Sequence, residues 1–276
     1  MSLLPSATEI IGSLGLVDRL VGRSAECDFP PEVASLPVVT ASRVDTSTLA
    51  AAEIDAAVRA ALAQGRSLYA VDAQLLARLA PDLILTQDLC AVCAVSTGEV
   101  RECSAGAELV ALDAATIDEL CAEIESLAAR LGVPERGAAV ADTLRERLDR
   151  VRERVAGRPP RRVFLAEWVD PPFAPGHWVP ELIELAGGHC VLGRTGEQSF
   201  RTTWEDVREA APELVVVAPC GYDLPRAELE AERVPDLGCP VAAVDANAYF
   251  SRATPRLADG AEQLAALIHP ATVAAA

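Results

Sequence analysis

Positive charge is the scarcest resource in this 276-residue chain: all 24 basic residues are arginine, lysine is absent, and 41 acidic residues leave a formal net charge of −17. A surface that grips nucleic acid needs a positive field, so this balance argues against a polyanion partner. Aromatic residues are also few, at 4% of the chain, and methionine occurs once. No apolar run approaches the ~20 residues that cross a bilayer, which excludes a membrane-spanning helix. G-x-S-x-G, a Walker loop and H-E-x-x-H are all missing, and the G-x-x-G at 12–15 is too short a signal to claim a dinucleotide. Met1-Ser2-Leu3-Leu4-Pro5 has neither a charged nor an apolar leader region, so the chain as written is expected in the cytoplasm.

What is present is an apolar fraction of 51% with 24% charged residues, the composition of a folded globular protein. The length suits one large domain or two lobes. Short apolar runs alternate with helical stretches, the signature of parallel α/β units. The expected order in the first half is helix 8–16, strand 20–24, helix 48–64, strand 68–71, helix from 73, strand 82–86, strand 108–112 and helix 117–131. The second half reads strand 162–168, helix 179–186, helix 204–210, strand 214–217, strand 241–245 and a last helix from 255. Between them Pro134–Val155 starts on proline and carries Val140, Leu144, Leu148, Val151 and Val155 at spacings of three and four. It reads as one helix of about 33 Å at 1.5 Å per residue. The expected architecture is therefore an N-terminal α/β lobe over 1–132, a bridging helix over 133–157 and a C-terminal α/β lobe over 158–276, two Rossmann-like lobes with mostly parallel sheets. One long helix in place of a flexible loop is expected to hold the cleft between the lobes nearly fixed.

Parallel α/β sheets bind ligands beyond the carboxyl ends of their strands. The segments that follow the expected strands are 3–9, 24–30, 86–93, 167–181, 218–223 and 245–252. They hold Phe29, Trp168, Phe173, Trp178, Tyr222, Tyr249 and Phe250, seven of the eleven aromatic residues. A chain so poor in aromatics that places them in loops points to a ligand with a large flat or apolar face, with packing of the loops onto the sheets as the plainer reading.

The run LLPSATEIIGSLGLVDRLVGRSAECDFPPEV resembles the N-terminal signature of cobalamin-binding proteins in the iron-siderophore/cobalamin family of ABC-importer substrate-binding proteins. L-x-x-L-x-P-D-L-I at 76–84, VDPPFAPGHWVPELIELAGG at 169–188 and DANAYFSRATPRLADG at 245–260 resemble the same family, so the likeness runs through essentially the whole chain. It implies two Rossmann-like lobes, a bridging helix and a corrinoid or chelate held without chemistry, with iron-siderophore or haem binding as the neighbouring alternative. It also implies that Pro5, Ser6 and Ala7 lie against the ligand. Glu26 occupies a place where transport members often carry an aromatic, Phe173 matches the aromatic of the N/D-P-P-F motif, Tyr249 and Phe250 match an aromatic pair, and Phe200 falls near a cleft tryptophan. Gln87, Asp28, Trp178 and Tyr222 complete the expected contacts from the same loops. One acidic residue on each lobe docks the permease in the family; Glu205 matches the second, while the first aligns with Gln74. Met1 stands where an apolar residue of the first strand is expected, which reads as a truncated strand or a mis-assigned start.

Eight cysteines at 27, 90, 93, 103, 121, 190, 220 and 239 depart from the transport members. In a long chain without a leader they read as thiols in reducing surroundings. Cys90 and Cys93 form C-x-x-C, and Cys27 and Cys220 also follow strands. The fold could gather these four around the cleft, where soft thiolates suit zinc, copper(I), an iron–sulfur cluster or corrinoid cobalt. The plain alternative is small buried side chains. A thiol- or cluster-dependent enzyme on the same two lobes is the reading from a different class. His177, in a Gly-His-Trp turn, is a candidate axial ligand to cobalt or iron, or else a locally bonded turn residue.

Overall fold

A computed structural model describes residues 1–44, 49–64, 68–88, 95, 97–101, 103–104 and 106–270. It divides into two compact units, the first made of Met1–Ala114 with Glu123–Gly137, the second of Ala115–Ala122 with Ala138–Ala276.

In the first unit Met1–Leu3 runs through the middle of a parallel ladder, with Ser2 bridged to Arg23 on one side and Leu85 on the other, and Arg23 bridged in turn to Val38. Helix α1 (Pro5–Ser13) follows at once. It begins three residues before the expected Thr8, because a proline at its first position has no N–H to lose and a φ already suited to a helix. Strands β1 (Thr40–Ser42) and β2 (Tyr69–Val71) form an antiparallel pair around α2 (Ala51–Ala63). Next come α3 (Ala73–Leu79), β3 (Leu83–Thr86), α4 (Thr97–Arg101) and β4 (Glu108–Ala111), with β3 and β4 parallel and Ile84 opposite Leu109. The expected strand at 20–24 shrinks to the single bridge of Arg23, whose guanidinium turns back onto the carbonyls of Val33, Ser24 and Cys27. Met1, Leu3, Val39, Leu76, Ile84, Val95 and Val100 make the buried core.

Helices α5 (Ile117–Arg130) and α6 (Pro134–Val155) follow. The bounds of α6 match the expected 22 residues, and its first turn belongs to the first unit while the rest belongs to the second. Leu144, Leu148, Val151 and Val155 are buried as expected, with Ala141 taking the innermost place beside a half-buried Val140. On its outer side Arg147 reaches Asp259 at 2.8 Å and Glu262 at 2.9 Å, pinning α6 along the last helix of the second unit.

The second unit is built on β5 (Arg161–Ala166), followed by β6 (Trp168–Val169), β7 (Pro172–Ala174), α7 (Val179–Leu185), β8 (Gly188–Cys190), β9 (Phe200–Arg201), α8 (Trp204–Glu209), β10 (Leu214–Val217), α9 (Leu224–Ala231), β11 (Val241–Ala243), α10 (Ala246–Tyr249) and α11 (Leu257–Ile268). Its main sheet has the order β11-β10-β5-β8, every pair parallel. The two central strands, Val163–Ala166 and Leu214–Val217, are buried along their length, which is why they read as unbroken apolar runs and not as alternating ones. Around them Phe164, Val169, Ala174, Val191, Val207, Val215 and Val217 form the core. A smaller antiparallel sheet, β6-β7-β9, stands at the carboxyl end of β5. No helix among the described residues is long and apolar enough to cross a membrane.

Candidate functional site

In the first unit the parallel ladder brings three of the expected segments to one end. Pro5, Ser6 and Ala7 form the opening turn of α1, directly beyond the strand of Ser2; Glu26 and Asp28 follow Arg23; Gln87 follows β3. Small residues dominate. Ser6, Ala7 and Gln87 are buried, Glu26 is half-buried and Asp28 exposed. Beneath them Thr8 Oγ1 lies 2.8 Å from Ser2 Oγ and 2.9 Å from Cys27 Sγ, and Ser24 Oγ is 3.2 Å from the same sulfur. These contacts tie α1 to the 24–30 loop and explain why Cys27 is only 1% exposed. After β3, the Asp88 amide donates to Asp113 Oδ1 and its carboxylate accepts from Thr97 N.

The carboxyl end of the second unit's sheet is where the loop aromatics gather. Cys220 N donates to Glu167 O, Gly221 N to Ser251 Oγ and Asn247 N to Tyr222 O, so the loops after β5, β10 and β11 are laced together. Trp168 and Tyr222 meet edge to face with centroids 5.2 Å apart, and Trp178 Nε1 donates to Phe250 O at 2.8 Å. Trp178, Tyr222 and Phe250 are thereby buried, while Phe173 in β7, Phe200 in β9 and Tyr249 at the end of α10 stay half-buried. Phe250 packs against Gly260, where a Cβ would stand 2.6 Å from Tyr249 O. The expected aromatic set therefore splits into rings that support the loops and rings that line the surface.

Arginines cover three of these rings, a feature the sequence reading missed. The guanidinium of Arg226 lies 3.8 Å from the Tyr222 centroid, that of Arg256 4.8 Å from Tyr249, and that of Arg194 4.6 Å from Phe200. The Tyr222–Arg226 pair stands four residues apart across the start of α9, a spacing that could have flagged it. Burial pushes the Tyr222 hydroxyl above its ordinary value, with the Arg226 charge pulling the other way.

His177 occupies a left-handed turn at φ 50°, its N–H donating to Glu197 O at 2.7 Å and its carbonyl accepting from Gly196 N at 2.9 Å. The turn packs so closely that a Cβ on Gly176 would come within 2.3 Å of Ser199 N. His177 Nε2 is shielded from solvent without a hydrogen-bond partner, and burial lowers the pKa of its ring. The bonds of the turn run through the backbone and leave the ring's role open to either expectation, turn residue or axial ligand.

Of the four cysteines expected to gather, two fall among the described residues. Cys27 is buried in the first unit, Cys220 is exposed in the second, and Cys90 and Cys93 lie outside the described residues. No group of three or more histidine, cysteine, aspartate or glutamate side chains placed to hold a metal occurs among the described residues. Cys121 is a small buried side chain of α5, and burial pushes the Cys190 thiol up to about 12.

Residues 1–235 match the family model described as periplasmic binding protein. The chain belongs to the periplasmic binding protein family. The vitamin B12-binding protein of Yersinia pestis is 26% identical over 271 residues, covering 96% of this chain and 84% of that one. Among solved structures, the periplasmic vitamin B12-binding protein of Vibrio cholerae superposes with a TM-score of 0.66 at 23% identity, covering 97% of this chain and 94% of that one. A periplasmic heme-binding protein of Pseudomonas aeruginosa gives 0.71 at 20% identity, covering 98% and 92%. A periplasmic binding protein binds a small solute for an ABC transporter and is no enzyme, which sets aside the cluster-enzyme alternative. The family also overturns the expected cytoplasmic placement, because its members are periplasmic. The cysteine argument behind that expectation was weak for a physical reason: Cys27 and Cys121 are accounted for by burial, with no reducing compartment required.

Proposed function

We propose that this periplasmic binding protein takes a corrinoid, cobalamin or a close relative, as its solute. The observation that carries the reading is the laced carboxyl end of the second unit's sheet, where the Trp168–Tyr222 and Trp178–Phe250 pairs join its loops and Phe173, Phe200 and Tyr249 keep half-buried rings, the last two with an arginine against one face. Flat apolar rings on a rigid base suit the face or rim of a macrocycle. Relatives across nearly the whole chain are vitamin B12-binding proteins, which supports the same solute. In the first unit Pro5, Ser6 and Ala7 would bring backbone close to the ligand, and Glu26, Asp28 and Gln87 would accept or donate hydrogen bonds to corrin amides. Helix α6 would serve as the link between the lobes. Glu205, exposed in the first turn of α8, would dock the permease. Cysteine-held metal forms no part of this reading.

Calorimetry with cobalamin, cobinamide, haem and ferric siderophores tests it. Heat from a corrinoid at micromolar concentration or below is the expected result; none from either corrinoid, or heat from haem or siderophore alone, would refute it.

A further inference from the structure

The rings of the second unit stand on three separate stretches of chain, and one residue ties all three together. Glu167 is the first residue beyond β5, at the carboxyl end of a central strand, where parallel α/β sheets carry their ligands. Its N–H donates to Phe173 O, its carbonyl accepts from Cys220 N and its carboxylate Oε1 accepts from Gly176 N, each at 3.1 Å. The first bond continues the β6-β7 ladder that sets Phe173 opposite Trp168, the second fixes the loop whose Tyr222 meets Trp168, and the third seats the turn that leads into Trp178. The two backbone bonds would form with any residue at 167. The third depends on the side chain alone. Gly176 is buried in a turn so closely packed that a Cβ there would meet Ser199 N at 2.3 Å and Glu197 O at 2.5 Å. The next bonds of that turn, His177 N to Glu197 O and Gly196 N to His177 O, are made by other groups, so the Gly176 amide relies on Glu167 for its acceptor. A buried N–H that loses its acceptor carries the full cost of its desolvation.

We infer that Glu167 is the positioning residue of the ring surface that meets the ligand: its carboxylate fixes the Gly176 turn, and through that turn the placement of Phe173 and Trp178 relative to the loop of Tyr222. The inference rests on the corrinoid reading and deepens it by naming the side chain on which the surface depends. The role asks for reach and an acceptor oxygen, not for charge, because the partner is a neutral backbone N–H. Glu167→Gln keeps both. Glu167→Asp keeps the charge but draws its oxygens back by one methylene, out of hydrogen-bond range of Gly176 N.

The test is calorimetric titration of the wild type, Glu167→Ala, Glu167→Asp and Glu167→Gln with cobalamin and cobinamide, beside near-ultraviolet circular dichroism of the same proteins without ligand. Glu167→Ala and Glu167→Asp are expected to weaken both corrinoids alike by about 10-fold or more, since both present the same corrin ring, while Glu167→Gln stays within about 3-fold of the wild type. The circular dichroism of the fixed rings should fall in the first two variants and hold in the third. Val155→Ala is the control. Val155 is buried beside Gly187, at the amino end of β8 and so at the opposite end of the sheet, and its truncation lowers stability without touching these loops. It should bind within about 3-fold of the wild type. Where Glu167→Ala does not fold, the contrast between Asp and Gln decides. Affinity that follows charge, with Glu167→Asp near the wild type and Glu167→Gln weak, overturns the inference in favour of direct contact between Glu167 and the ligand. Unchanged affinity in all three variants overturns it too, as does an equal loss in Val155→Ala, the mark of general destabilisation. Silence from both corrinoids with the wild type overturns the corrinoid reading instead, and the order of the circular dichroism signals then decides the positioning by itself.

Discussion

The two units meet ligand chemistry with different materials. Nine of the eleven aromatic residues, and all three tryptophans, belong to the second unit; the first has only Phe29 and Tyr69. At the carboxyl ends of the sheets the first unit offers Pro5, Ser6 and Ala7 over a buried Ser2–Thr8–Cys27–Ser24 array, whereas the second offers rings, three of them capped by arginine. Small residues let backbone approach a ligand closely and cost little entropy when they are ordered. Rings supply area and arginines supply directed charge. The difference teaches that, on the proposed reading, the first unit would supply fit and the second grip.

The sharpest way to break this comparison is to weaken one unit alone. Phe164 is fully buried in β5 and meets Trp204 edge to face at 6.0 Å, so Phe164→Ala should cost about 3–5 kcal/mol. Because every tryptophan lies in the second unit, fluorescence-monitored urea unfolding reports that loss directly. Hydrogen exchange in Leu83–Thr86 of the first unit is expected to change less. Equal loss of protection in both would show that the two compact units unfold as a single cooperative block.

A milder test contrasts the two surfaces in binding. Tyr249→Ala should weaken corrinoid binding by about 1–3 kcal/mol, the worth of a ring laid on an apolar ligand face. Ser6→Ala, which removes one hydroxyl and leaves the opening backbone turn of α1 in place, should change it by less than about 0.5 kcal/mol. Titration of both variants with cobalamin decides. The reverse ranking would assign the grip to the first unit.

Much of this was legible beforehand, and the reasons differ element by element. Helix α6 matched the expected bounds because a proline start and a sustained stripe of three-four spacing leave little choice, and β10 did so because a fully buried parallel strand is an unbroken apolar run. The small β6-β7-β9 sheet went unread: its strands are two or three residues long, and Pro172 and Phe200 carry no alternation to detect. Helix α9 was missed although Asp223 and Pro225 spell a start signal. The loops of the proposed site were chosen from the strand ends. Which rings line the surface did not, since Trp178 and Tyr222 are buried by a hydrogen bond to Phe250 O and by Trp168, contacts between loops far apart in sequence.

The smallest effect concerns His177. Burial lowers its folded pKa below the ordinary value of 6.5, so above that pH both folded and unfolded chains carry the neutral ring and the residue adds no pH dependence. As pH falls through 6.5 the unfolded chain takes up a proton that the folded chain refuses, and stability declines until the folded pKa is reached. His177→Asn removes the titration while keeping a residue that tolerates φ 50°, and the bonds of the turn run through backbone N and O, so the turn should survive. Urea midpoints between pH 7.5 and 5 should fall less steeply for the variant than for the wild type. Parallel slopes would place the ring in solvent.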